Sequence, residues 1–174
     1  RLGDFTVVTG IPGHGKSTWV NDVACRMAER HGWNVCFASF EQPPQTDHLR
    51  ALRRWRGGPE AECDAWIDRH FSFLVPGDED EVNVEWVLER LATAIVRYDV
   101  QLAVIDPWNE MDHVVGRDMS LTQYVGAAIR AFKRFAKRWN VHLLVVAHPT
   151  KLMRRNDGTL PMPTPYDISD SSHW

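Results

Sequence analysis

Gly10-Ile11-Pro12-Gly13-His14-Gly15-Lys16-Ser17 decides the fold. The stretch has the form G-x-x-x-x-G-K-[ST], and its flanks suit it. The apolar run Phe5-Thr6-Val7-Val8-Thr9 precedes it as a short strand, and a helical pattern follows. In that pattern Trp19, Val20, Val23, Ala24 and Met27 recur at helical spacing from Ser17 to His31, and Gly32 is a stop signal. A strand, a glycine-rich turn and a helix start together make a phosphate cradle. Glycines let backbone N–H groups point inward, and the helix dipole favours negative charge at its start. Gly10, Ile11, Pro12, Gly13, His14, Gly15, Lys16, Ser17 and Thr18 are therefore expected to surround the phosphates of ATP. Lys16 would reach the β- and γ-phosphates, and the Ser17 hydroxyl would ligate Mg2+.

Outward from this turn, apolar strands alternate with helical patterns. Asn34 to Phe40 reads as a strand ending at Glu41, and Thr46 to Arg56 as a helix broken by Gly57-Gly58-Pro59. A short helix over Glu60 to His70 precedes an apolar run from Phe71 to Val75. After the acidic loop Gly77 to Glu81 come a helix over Val84 to Tyr98 and the strand Leu102 to Asp106. A helix over Leu121 to Trp139 and the strand Val141 to Ala147 complete the series. Several strands are apolar throughout, which suits burial on both faces of a parallel sheet. The expected class is α/β: a doubly wound, mainly parallel sheet with helices on both faces and the site at the carboxyl ends of the strands.

Bulk properties narrow the rest. A length of 174 residues with 44% hydrophobic content suits one domain with a real core. A formal net charge of -3 excludes general attraction to nucleic acid, so any such contact needs local basic patches. The three cysteines, Cys25, Cys36 and Cys63, are too few and too scattered for a zinc site, and their odd count argues against a disulfide framework. A reducing compartment is expected, the cytoplasm or an organelle matrix. No apolar run approaches the roughly 20 residues that span a bilayer, and no membrane partner is expected. The chain runs from Arg1 to Trp174 and reads as a single domain excised at both ends from a longer protein.

Three polar residues stand at strand ends. Asp106 closes an apolar strand in the form of a Walker B carboxylate and would hold Mg2+ through water. Glu41, at the end of the strand after the P-loop helix, is placed to polarise the water that attacks the γ-phosphate. His148 ends the Val141 to Ala147 strand, where a polar side chain can touch the γ-phosphate and report its loss.

Four strand-end motifs thus occur in order: Gly10 to Ser17, Ser39-Phe40-Glu41, Ile105-Asp106-Pro107-Trp108-Asn109 and Val146-Ala147-His148-Pro149. Together they resemble the RecA-type motor domain of hexameric replicative DNA helicases, with phage primase-helicases and Twinkle-like helicases nearest. The tail Tyr166 to Trp174 resembles the stretch after the second DNA loop in that group, with Asp170 where glycine is frequent. The resemblance implies a RecA-like P-loop ATPase with Glu41 as catalytic base and His148 as sensor. It further implies ring-driven movement on single-stranded DNA. It also implies an arginine finger contributed by a neighbouring subunit beyond Trp174, so that the isolated piece turns over slowly.

In such motors the loops after the Walker B and sensor strands line the channel, here about Trp108 to Ser120 and Pro149 to Pro165. Lys151, Arg154 and Arg155 in the second loop suit phosphate contacts without base reading. Arg50, Arg53, Arg54 and Arg56, like Lys133, Arg134, Lys137 and Arg138, alternate with apolar residues and suit a solvated helix face or a subunit contact. Of the eight tryptophans, Trp33, Trp55, Trp66, Trp86 and Trp139 are expected to pack in core or interface. Trp108, just past Asp106, is open to contact with nucleotide or a neighbour. Three other functions stand beside this one: a recombinase or clock-type relative of RecA that shares the ATPase core, a P-loop small-molecule kinase whose only candidate lid is Arg50 to Arg56, and a module that binds ATP for assembly without turnover, which Glu41 argues against.

Overall fold

β1 (Phe5–Thr9) forms one edge of a five-stranded sheet with the order β1-β5-β4-β2-β3, in a computed structural model that describes residues 1–41, 44–149, 161–164, 167 and 168. The other strands are β2 (Asn34–Ser39), β3 (Phe71–Leu74), β4 (Val100–Asp106) and β5 (His142–Ala147). All four pairings are parallel, so every strand delivers its carboxyl end to the same rim.

Side chains alternate along these strands and split the core into two layers. Val35, Phe37, Leu102, Val104, Leu144 and Val146 face one side, where they pack with Val20, Ala24 and Ala28 of α1 (Lys16–His31). Leu52 of α2 (Leu49–Arg56) and Ile67 of α3 (Glu60–His70) close that layer. Cys36, Ala38, Ala103, Ile105, Leu143 and Val145 face the other side. There they meet Val87 and Leu91 of α4 (Val84–Tyr98) and Ile129 and Phe132 of α5 (Leu121–Trp139). Local chemistry fixes the ends of these helices. Gly32 in the left-handed region donates to Ala28 O and stops α1, and a Ser120–Gln123 capping box starts α5.

The structure departs from the sequence expectations in four places. Phe71–Leu74 is a true edge strand paired to β2. β4 begins at Val100, because the Gln101 side chain accepts from Asn34 N at 2.8 Å and extends the pairing past the apolar run. The segment before α2 is a single π-helical turn, Pro44–His48. Trp108, whose placement the sequence leaves open, is the fourth. It is 0% exposed, in a 3-10 turn (Trp108–Glu110) that folds back among His113, Tyr124 and Phe132.

Five other tryptophans pack as expected. Trp55 and Trp66 stack at 6.0 Å, and Trp33, Trp86 and Trp139 lie against the core. All three cysteines are buried and free. Among the described residues no helix is long and apolar enough to cross a membrane.

Candidate active site

The rim of the sheet carries the chemistry. The tips of β1, β5, β4 and β2 present Gly10, His148, Asp106 and Glu41 in that spatial order. The P-loop strand and the Asp106 strand are separated by β5, which places His148 between them.

The turn after β1 relies on backbone freedom at two positions. Gly13 and Gly15 have φ of 77° and 81°, a region that favours glycine. Gly15 stands at the start of α1 and has no side chain to cap it, which leaves the first-turn N–H groups for an anion. Lys16 Nζ donates to Gly10 O at 2.9 Å and to Ile11 O at 3.4 Å, so the ammonium lies against the loop. Burial pushes the Lys16 pKa down, while the nearby Asp106 and Glu41 carboxylates work against that shift.

A cleft of about 280 Å3 is lined by Pro12, Gly13, Gly15 through Thr18, Glu41 and His148. The geometry therefore brings Lys16, Ser17, Thr18, Glu41 and His148 to one cleft. Gly10 and Ile11 support it through their carbonyls, while His14 is exposed in the turn and does not line the cleft. Lys151, Arg154 and Arg155 lie outside the described residues.

Asp106 is 5% exposed at the tip of β4, close enough to the Ser17 hydroxyl for that group to favour its ionised form. Burial pushes its pKa above the usual carboxylate range and Glu41 adds to that, against the pull of Ser17, His148 and Lys16. Two hard oxygen donors, one of them a buried and under-compensated carboxylate, fit Mg2+. This ion keeps several waters and needs only one or two protein oxygens beside phosphates. Among the described residues no group of three or more His, Cys, Asp or Glu offers a closed cage.

The raised pKa has a stability consequence. The folded state holds the Asp106 proton more tightly than the unfolded chain, so this group's contribution falls as pH rises through the folded pKa. Above that folded pKa the ionised carboxylate is a net cost to the nucleotide-free domain. Asp106→Asn is expected to raise its Tm, by about 2–4 °C for each kcal/mol relieved in a domain of this size, while Mg2+-dependent turnover drops. Thermal melts across pH check this, and a lower Tm for Asp106→Asn would speak against it.

Asn109 closes the strand-end motif after β4, but the sequence gives it no role of its own. Its side-chain Oδ1 accepts from the His148 backbone N at 2.6 Å, which ties the tip of β5 to the 3-10 turn after β4. Its proximity to Asp106 in sequence is the only available signal.

Comparison with known proteins agrees with this fold. A family model described as AAA domain matches residues 1–153. The Twinkle homolog protein, chloroplastic/mitochondrial, of Arabidopsis thaliana is 31% identical over 189 residues, covering 99% of this chain and 26% of the relative. The chain thus spans about a quarter of that relative's length. A DnaB-like replicative helicase, solved in a study of its interactions with primase, superposes with a TM-score of 0.75 at 15% identity, over 99% of this chain and 46% of that one. A second solved structure, an isolated ATPase domain, superposes with a TM-score of 0.73 at 16% identity, over 99% and 66%. The chain belongs to the AAA domain family, and it shares the fold of the two solved structures on which it superposes.

Proposed function

We propose that this chain is the ATP-binding and ATP-hydrolysing motor core of a replicative-type DNA helicase, which acts as a hexameric ring and couples hydrolysis to movement on single-stranded DNA. One observation carries this: four separate strand ends bring a P-loop lysine, a buried carboxylate, an exposed carboxylate and a histidine to one rim. The likeness to a Twinkle homolog and to replicative-helicase ATPase folds supports the same assignment.

Each side chain then has one task. The P-loop N–H groups and Lys16 hold the phosphates, and Ser17 with Asp106 holds Mg2+, which when bound neutralises charge on the β- and γ-phosphate oxygens. Glu41 accepts the proton of the attacking water. His148 contacts the γ-phosphate, and its link to Asn109 passes the loss of that phosphate to the turn after β4. An arginine from the adjacent subunit completes the site and adds about 10³–10⁵ in rate. Lys151, Arg154 and Arg155 contact DNA phosphates. The compartment is a reducing one, the cytoplasm ahead of an organelle matrix.

Two arginines of the candidate kinase lid are engaged elsewhere, which weighs against that alternative. Arg53 makes a two-pronged pair with Asp64 at 2.6 and 2.9 Å and a further pair with Glu60, while Arg56 reaches Glu29 at 3.9 Å. These arginines tie α2 to α3 and α1 within the chain.

Strand displacement by the full-length protein tests the proposal. A forked duplex should be unwound with ATP and not at all by Glu41→Gln. Replacing Lys151, Arg154 and Arg155 with alanine should lower the slope of log affinity for single strands against log salt by about 2. Transfer of phosphate to a small acceptor without any unwinding would refute it.

A further inference from the structure

β2 ends at Ser39, two residues before Glu41, and the chain returns to the core at His48, nine positions after Ser39. The return is made by the π-helical turn Pro44–His48, a rare conformation often found at functional sites. His48 is 1% exposed. Its ring lies 4.8 Å from that of Phe37 and 5.6 Å from that of Phe73, and its Nε2 is 2.9 Å from Ser39 Oγ. Its Nδ1 is buried with no hydrogen-bond partner among the described residues.

Packing alone does not account for a histidine here. Between two phenylalanine rings, a leucine would fill the space without leaving a buried nitrogen unpaired. The polar side chain retained at this cost makes one directed contact, to Ser39. Desolvation pushes the His48 pKa down, against the pull of Asp47, which favours the neutral ring. A neutral ring with its proton on Nε2 donates to Ser39 Oγ and leaves Nδ1 as a bare acceptor, the less costly way to leave a nitrogen unpaired.

Ser39 is held from its other side as well. It pairs in register with Asp106, and Phe40 N donates to Asp106 O at 3.1 Å. Phe40, just before Glu41, is therefore tied to the β4 backbone, and Ser39 to His48. We propose that His48 is a positioning residue: through Ser39 it fixes the tip of β2 and so sets where the Glu41 carboxylate stands in the cleft. The inference rests on Glu41 acting as the base.

The test compares His48→Leu, His48→Gln, Ser39→Ala and the double variant His48→Leu/Ser39→Ala in the full-length protein. It reads Tm, ATP Kd and DNA-stimulated kcat, with Glu41→Gln run in parallel. His48→Leu should keep the parental Tm or exceed it and hold ATP Kd within about twofold. Its kcat should fall about 10–100-fold, the scale of a misplaced catalytic group. His48→Gln, whose amide can donate to Ser39, should recover part of the rate. Ser39→Ala should lose as much as His48→Leu, and the double variant no more than either single one, because the two act along one path.

An unchanged kcat in His48→Leu overturns the inference, as do parallel losses of Tm and kcat with no recovery in His48→Gln. If His48→Leu fails to fold, a parental kcat in Ser39→Ala overturns it instead. Should Glu41→Gln turn over at the parental rate, the base assignment itself fails. A dead Glu41→Gln beside a fully active His48→Leu removes only the positioning role.

Discussion

Glu41→Gln is expected to bind ATP as tightly as the parent and to hydrolyse it about 10²–10⁴ times more slowly, the range over which a positioned general base contributes. The substitution is nearly isosteric, and Glu41 is exposed at the tip of β2, outside both core layers. Stability should therefore not change. An amide cannot accept the proton of the attacking water, whereas every phosphate contact made by the P-loop remains. Single-turnover hydrolysis beside direct ATP titration separates the two quantities. Parental turnover in Glu41→Gln would remove the residue from the chemistry, and lost ATP binding would make it a ground-state contact instead.

Lys16→Ala is expected to fail earlier, at binding. A charge-assisted hydrogen bond is worth about 1.5–3 kcal/mol, so ATP affinity should drop roughly 10–100-fold. The same ammonium meets charge developing on the γ-phosphate, so the rate should fall further at saturating ATP. There is a secondary consequence before nucleotide binds. Asp106 loses a cation that lowers its pKa, so the pair Asp106 and Glu41 is left more strongly opposed. Calorimetric titration with ATP, at Mg2+ saturation, checks the affinity. A Kd within about twofold of the parent would mean that the cradle is not the nucleotide site.

Much of this arrangement is legible in the residues because strand alternation acts as a ruler. In β4, Leu102 and Val104 point to the α1 layer, and Asp106 continues the same parity. In β5, Leu144 and Val146 do so, and His148 follows. In β2, Val35 and Phe37 lead to Ser39. Polar residues that extend an apolar series on the P-loop side must emerge beside the P-loop, which is why strand-end motifs suffice to find the cleft.

What stays hidden depends on tertiary context. Four residues, Phe71 to Leu74, carry too little pattern to separate an edge strand from any buried run. Gln101 interrupts the apolar series of β4, and only its bond to Asn34 explains why the strand continues. Nothing in Pro44-Gln45-Thr46-Asp47-His48 separates a π turn from an α turn, so the approach of His48 to Ser39 cannot be read from the residues. Trp108 follows Asp106 so closely that sequence alone leaves it facing nucleotide or a neighbour. The 3-10 turn instead reverses it into the layer between sheet and α5, where an indole gains most from burial.

Whether this cleft drives a motor on DNA is decided by the steady-state ATPase rate of the full-length protein. The rate is read with and without single-stranded DNA, for the parent and for Glu41→Gln. DNA should stimulate the parent strongly, and Glu41→Gln should turn over in neither condition while it still binds ATP. A parental rate indifferent to DNA, with phosphate passing to a small acceptor rather than to water, would exclude the motor and leave only a nucleotide-binding P-loop.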